Sequence, residues 1–221
     1  MEINQGGRLK MGAKNNTYSD YIFLTLSYIF HPVFLILWTT AYLVYVHPLL
    51  FVGVNDHAKM LVLLRIAGTS VFLPVMTIIL LKGLGFISSI KLPEQKDRIV
   101  PYVACITFFF WSYYVSKKLG DPFELRVFLL ALFLTSSASL LINNYIKISM
   151  HATGFGGVNA LFVMMLMSGS LNDGFMLTLS FLLAGLVCTG RIRQKHHHPA
   201  EIYFGYFTGA LILLFSWWFL S

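Results

Sequence analysis

Gly190-Arg191-Ile192-Arg193-Gln194-Lys195-His196-His197-His198-Pro199-Ala200-Glu201 gathers a basic cluster, three histidines and a carboxylate between two long apolar runs, 175–189 and 202–220. Charge set between such runs is costly unless it performs a task. The rest of the chain is therefore read as scaffold and partner residues for this stretch. Crossing a hydrocarbon core takes roughly 20 apolar residues, with a lower limit near 17. Of the 221 residues, 57% are hydrophobic and 11% charged, with a mean hydropathy of +0.73. That composition is expected of an integral membrane protein. The expected fold class is all-α, a polytopic integral membrane helical bundle of six or seven transmembrane helices with no soluble domain of ordinary size.

Upstream, the apolar runs fall at 21–46, 58–83, 99–116 and 124–146, with a fifth that opens directly from the cluster ending at Gly154 and runs through Met167. His31-Pro32 interrupts the first and is read as a structural kink. Arg65 lies inside the second and must snorkel or find a partner. The aromatics of the third (Phe108, Phe109, Phe110, Trp111, Tyr113 and Tyr114) are read as packing or lipid-facing groups. Gly154, Gly156 and Gly157 are expected to admit a neighbouring backbone, and Thr153 and Asn159 to bond between helices. Trp217 and Trp218 read as interface anchors. Cys105 and Cys188 sit in apolar runs, where packing is a better reading than a disulfide. The runs at 99–116, 175–189 and 202–220 lie near or below the length limit, which leaves the count at six or seven. Residues 1–20 form a polar tail with Arg8, Lys10 and Lys14, without the pattern of a removable signal peptide. Residues 21–221 form one membrane domain.

Two further polar clusters interrupt the apolar pattern, Lys91 to Arg98 and Ile148 to Gly154. A pair of spans separates each cluster from the next, so all three are expected on one membrane face. Together they supply Lys91, Arg98 and Arg191 as cations, Ser149 as a hydroxyl, His151 and His197 as proton carriers or nucleophiles, and Glu201 as an acceptor. Guanidinium forks and a helix start near Ser149 suit a phosphate or another oxyanion. A histidine held by a carboxylate is a nucleophile or base. The combination reads as phosphoryl transfer without a metal. The His196-His197-His198 run is a weak metal signal, because no cysteine or second ligand cluster accompanies it. Asn143, Asn144 and Lys147 read as polar helix-end groups.

These residues resemble the type 2 phosphatidic acid phosphatases, or lipid phosphate phosphatases, which share their site with the vanadium haloperoxidases. That superfamily carries Lys-x6-Arg-Pro, Pro-Ser-Gly-His and Ser-Arg-x5-His-x3-Asp. Lys91 and Arg98 have the first spacing, Ser149 and His151 the second, and Arg191, His197 and Glu201 the third. The departures are Ile99 for the first proline, Ile148 and Met150 around Ser149, Gly190 for serine and Glu201 for aspartate. A long side chain at Met150 is expected to crowd the backbone's approach to phosphate. The resemblance implies that His197 attacks phosphorus to give a phosphohistidine, that Glu201 orients it, and that His151 protonates the leaving oxygen. It further implies that Lys91, Arg98, Arg191, Ser149 and the Met150 amide hold the non-bridging oxygens, with no metal or other cofactor.

The expected function is a metal-independent membrane phosphatase of lipid metabolism, hydrolysing a lipid phosphomonoester or diphosphate. The alternative is a catalytically impaired relative that binds anionic lipid or acts as a membrane interaction protein. Partners are the lipid phosphate and surrounding membrane lipids, not nucleic acid. The charge count (Arg8, Lys10, Lys14, Lys82, Lys96, Lys147, Arg193 and Lys195 against Lys59, Lys117, Lys118 and Arg126) puts the site face in the cytoplasm. The family's habit points to the opposite face.

Overall fold

The computed structural model describes residues 18–87, 99–143, 145–170, 174–194 and 197–221. Among them every regular element is helical. The order is α1 (Tyr18–Ile29), α2 (Pro32–Ala41), α3 (Asp56–Ala67), α4 (Leu73–Gly83), α5 (Ile99–Leu119), α6 (Phe123–Asn143), α7 (Met150–Met167), α8 (Phe175–Arg193) and α9 (Pro199–Leu220). A wider π-helical turn, Tyr42–Val46, prolongs α2, and another, Gly68–Phe72, joins α3 to α4. The joined run Asp56–Gly83 and α5 to α9 give six helices long and apolar enough to cross a membrane, or seven if the bent α1–α2 pair is one span.

The bend between α1 and α2 is 59°. Pro32 begins α2, where its missing N–H costs nothing, and His31 Nδ1 accepts the Val33 amide hydrogen at 3.4 Å. The expected kink is thus a change of direction. It carries α1 across to the last turns of α8, where the Phe23 ring packs on Gly190 and lies under the Arg193 guanidinium at 5.7 Å.

Several helix ends differ from the hydropathy reading. Lys117 and Lys118 close α5, Arg191 and Arg193 close α8, and Glu201 lies in the first turn of α9. Cations at a C-terminus and a carboxylate at an N-terminus complement the helix dipole, so helices continue through charge that a hydropathy window treats as loop. The three short runs become helices of 21, 19 and 22 residues. In the other direction, α6 stops at Asn143 rather than at 146.

The α7 helix is the innermost, with α9 and α8 against it and α6 behind α9. The α7 and α9 helices run parallel, with Ser149 beside Gly205 and Gly157 beside Gly209. Their backbones meet: a Cβ on Gly156 would lie 2.8 Å from the Tyr206 carbonyl carbon, and one on Gly205 would lie 2.8 Å from Ser149 O. Gly156 therefore has the expected role, with Gly205 and Gly209 as its counterparts on α9. Asn159 Nδ2 donates to Tyr206 Oη across the same interface at 2.9 Å, whereas Thr153 Oγ1 bonds back to Ser149 O at 3.0 Å within its own turn.

Arg65 pairs with Asp121, which also accepts from Ser116 Oγ, so the intramembrane-like cation is neutralised by the turn between α5 and α6. Trp217 is buried with its ring 4.9 Å from Phe123, while Trp218 is 73% exposed. The anchor reading therefore fits Trp218 alone, Trp217 being part of the core. Cys105 and Cys188 are both free thiols.

Candidate functional site

The starts of α7 and α9 and the end of α8 meet at one end of the bundle. Their register is fixed through the backbone, since the Ser149 amide donates to Glu201 O at 3.2 Å. This bond ties the first turn of α9 to the N-cap of α7. Ser149 is fully buried, and its Oγ accepts the Ala152 amide hydrogen at 3.5 Å. The hydroxyl hydrogen remains a donor. The amides of Met150 and His151, in the first turn, lack intrahelical acceptors and face the positive end of the helix dipole. The Met150 side chain is 37% exposed.

His197 precedes α9 and Glu201 lies in its first turn, a four-residue separation that brings the side chains together. His197 Nδ1 stands 2.6 Å from Glu201 Oε2, with the imidazole 7% exposed and the carboxylate 20%. The extra methylene of glutamate is accommodated with a short hydrogen bond. A proton on Nδ1 directed at the carboxylate leaves the Nε2 lone pair free. Loss of water holds the His197 pKa below its usual value, the Glu201 hydrogen bond opposes that, and the Arg191 charge adds to the lowering. Lys147 is also near enough for its charge to act on His197, so this helix-end cation belongs to the site's surroundings.

Arg191, in the last turn of α8, sits among the histidines and acts electrostatically on His31, His151 and His197. Its Nε is buried and has no hydrogen-bond partner among the described residues. A buried guanidinium N–H without a protein acceptor is a donor suited to an oxyanion. His151 is buried, and its Nε2 lies 3.1 Å from the Ser27 carbonyl of α1. Because a carbonyl can only accept, the proton is on Nε2.

His31 packs edge-on against His151 with ring centroids 5.3 Å apart. Sequence reading gave His31-Pro32 a backbone role alone. Its neighbour Pro32 explains a kink, and nothing in local spacing announces a partner 120 residues away. Lys91 and Arg98 lie outside the described residues, as do Lys195 and His196. The α5 helix, which follows Arg98, begins at this same end of the bundle: it is antiparallel to α6, whose first residue, Phe123, packs against the far end of α9. Among the described residues no group of three or more His, Cys, Asp or Glu side chains is arranged to hold a metal ion.

Comparison of the chain with protein-family models, with curated proteins and with solved structures finds no match in any of the three.

Proposed function

We propose that this chain is a multi-pass membrane phosphatase that hydrolyses a lipid phosphomonoester or diphosphate through a phosphohistidine. The observation that carries the reading is the 2.6 Å contact between His197 and Glu201, placed beside Arg191, a half-buried arginine whose Nε–H is buried and open. His197 Nε2 attacks phosphorus while the bond to the leaving oxygen breaks. His151, as the imidazolium with a second proton on Nδ1, gives that oxygen a proton and becomes neutral. Water then attacks the phosphohistidine, passes a proton to His151, and releases phosphate. Arg191, the Ser149 hydroxyl and the Met150 amide hold the non-bridging oxygens, joined by Lys91 and Arg98. Positioning and fixed charge supply most of the catalysis of phosphoryl transfer.

In the structure the His151 proton is directed at Ser27 O, so acting as the acid requires this buried ring to take up a second proton, on Nδ1. The same contact favours the second reading, an impaired relative that binds anionic lipid without turning it over. Phosphate release by the purified protein separates the two, measured on phosphatidate, phosphatidylglycerol phosphate, a polyprenyl diphosphate and a lipid A phosphate. Turnover of any of these is expected, with loss in His197→Ala while the variant remains folded. Turnover near the wild-type rate in His197→Ala refutes the nucleophile. Inactivity of His196→Ala or His198→Ala instead shifts the register.

A further inference from the structure

The α2 and α8 helices both pack on α7, and between them they leave an apolar groove with α7 as its floor. Phe155, Val158 and Phe162 line the floor, Trp38 and Leu179 stand at the rim, and Phe30 closes the upper end. Trp38 is 55% exposed and Leu179 38%, so the groove opens sideways, away from the bundle axis.

Three observations identify an occupant. The groove begins beside the candidate site, because Phe30 adjoins His31, whose ring touches His151, and Phe155 is one helical turn below His151. At 1.5 Å per residue the floor extends from about 6 Å to about 16 Å beneath His151. A membrane's hydrocarbon core is about 30 Å thick, so one leaflet's chains occupy about 15 Å of depth. The floor thus ends at about the depth that one leaflet's chains reach, and its head is marked by the open Arg191 N–H.

We propose that this groove holds one hydrocarbon chain of the lipid whose phosphate is received at Arg191 and His151. The proposal rests on the phosphatase reading for the identity of the headgroup. It defines the substrate class as a leaflet-resident lipid phosphate with at least one long chain entering sideways between α2 and α8. A surrounding lipid would fill the groove without regard to headgroup, which distinguishes solvation from recognition.

Two measurements test it. In the first, Leu179→Trp fills the rim, and Leu186→Trp, on the same helix and 46% exposed but outside the groove, serves as control. With p-nitrophenyl phosphate both variants are expected to match wild type. With dipalmitoyl phosphatidate the KM of Leu179→Trp is expected to rise roughly tenfold with kcat held, while Leu186→Trp is unchanged. Equal effects of the two variants, or none, overturn the groove. Absence of turnover on both compounds by the wild-type protein refutes the phosphatase reading instead.

The second measurement needs no turnover: a phosphatidate carrying a diazirine in mid-chain is photolysed with the wild-type protein in phosphatidylcholine vesicles. Crosslinks are expected in the 155–162 segment, competed by excess phosphatidate and not by diacylglycerol. Competition by both lipids alike, or crosslinks elsewhere, overturns the proposal.

Discussion

Gly209→Ala tests the interface that holds the two halves of the site in register. A Cβ on Gly209 would fall within the Thr153 carbonyl, 2.9 Å from its carbon, and 3.0 Å from Gly157 N. Carbon contacts settle at about 3.5–4.0 Å, so α7 and α9 must part by about 1 Å. These neighbours are backbone in the middle of a helix, with no flexible side-chain end that could swing aside. The Ser149–Glu201 bond, already 3.2 Å long, lies two turns away on the same seam and would not survive that separation. Overpacking together with one lost hydrogen bond places the destabilisation at about 2–4 kcal/mol. Gly157→Ala is the matched control, since its Cβ would have Gly209 O as nearest neighbour at 3.7 Å, an ordinary contact. Thermal unfolding of both variants in the same detergent, followed by tryptophan fluorescence, gives the comparison. The expected result is a Gly209→Ala midpoint several degrees below that of Gly157→Ala. Equal midpoints would refute the close parallel packing of α7 and α9.

Acidification should act through His197. Its folded pKa lies below the ordinary 6.5, so as pH falls the unfolded chain takes up the proton first. This residue's contribution to stability is present above 6.5 and lost on further acidification. The acid limb of kcat/KM is accordingly expected below 6.5, and Arg191→Gln, which removes a charge that lowers His197, should move whatever limb remains upward. A wild-type limb above 6.5 contradicts this. Activity should survive chelators and be inhibited by vanadate, a mimic of five-coordinate phosphorus, and loss with chelator restored by zinc or magnesium would favour histidine–metal chemistry. The charge count predicts that, in intact cells and a background lacking Cys105 and Cys188, an impermeant thiol reagent labels Leu119→Cys and not Gln95→Cys. Leu119 is 64% exposed and avoids the positive φ of Gly120. The opposite labelling places the site outside.

Hydropathy located the apolar helices because each stretch must be apolar over its own length, a property readable one window at a time. It erred at the ends, where Lys117, Arg191 and Glu201 obey dipole complementarity rather than hydropathy. The His197–Glu201 approach was legible for a local reason, since four residues across a helix start bring side chains together. Arg65 could be flagged as unbalanced, but its partner Asp121 is 56 residues distant and depends on how the Gly68–Phe72 turn and α4 pack on α5. The contact of His31 with His151 was hidden for the same reason: it exists only once the chain has turned at Pro32. Gly205 and Gly209 look like ordinary small residues until α7 supplies the backbone that requires them.

The shared seam of α7 and α9 also divides the site's surroundings in two. His197 and Glu201 stand at the start of α9 and His151 on α7, and the two helices are joined backbone to backbone, so they form a fixed anvil. The Ser27 carbonyl belongs to α1, attached through the His31-Pro32 bend and resting on the end of α8. That leaves α1 a separate arm laid against the paired helices. Substitutions can accumulate on this N-terminal arm while the anvil stays untouched.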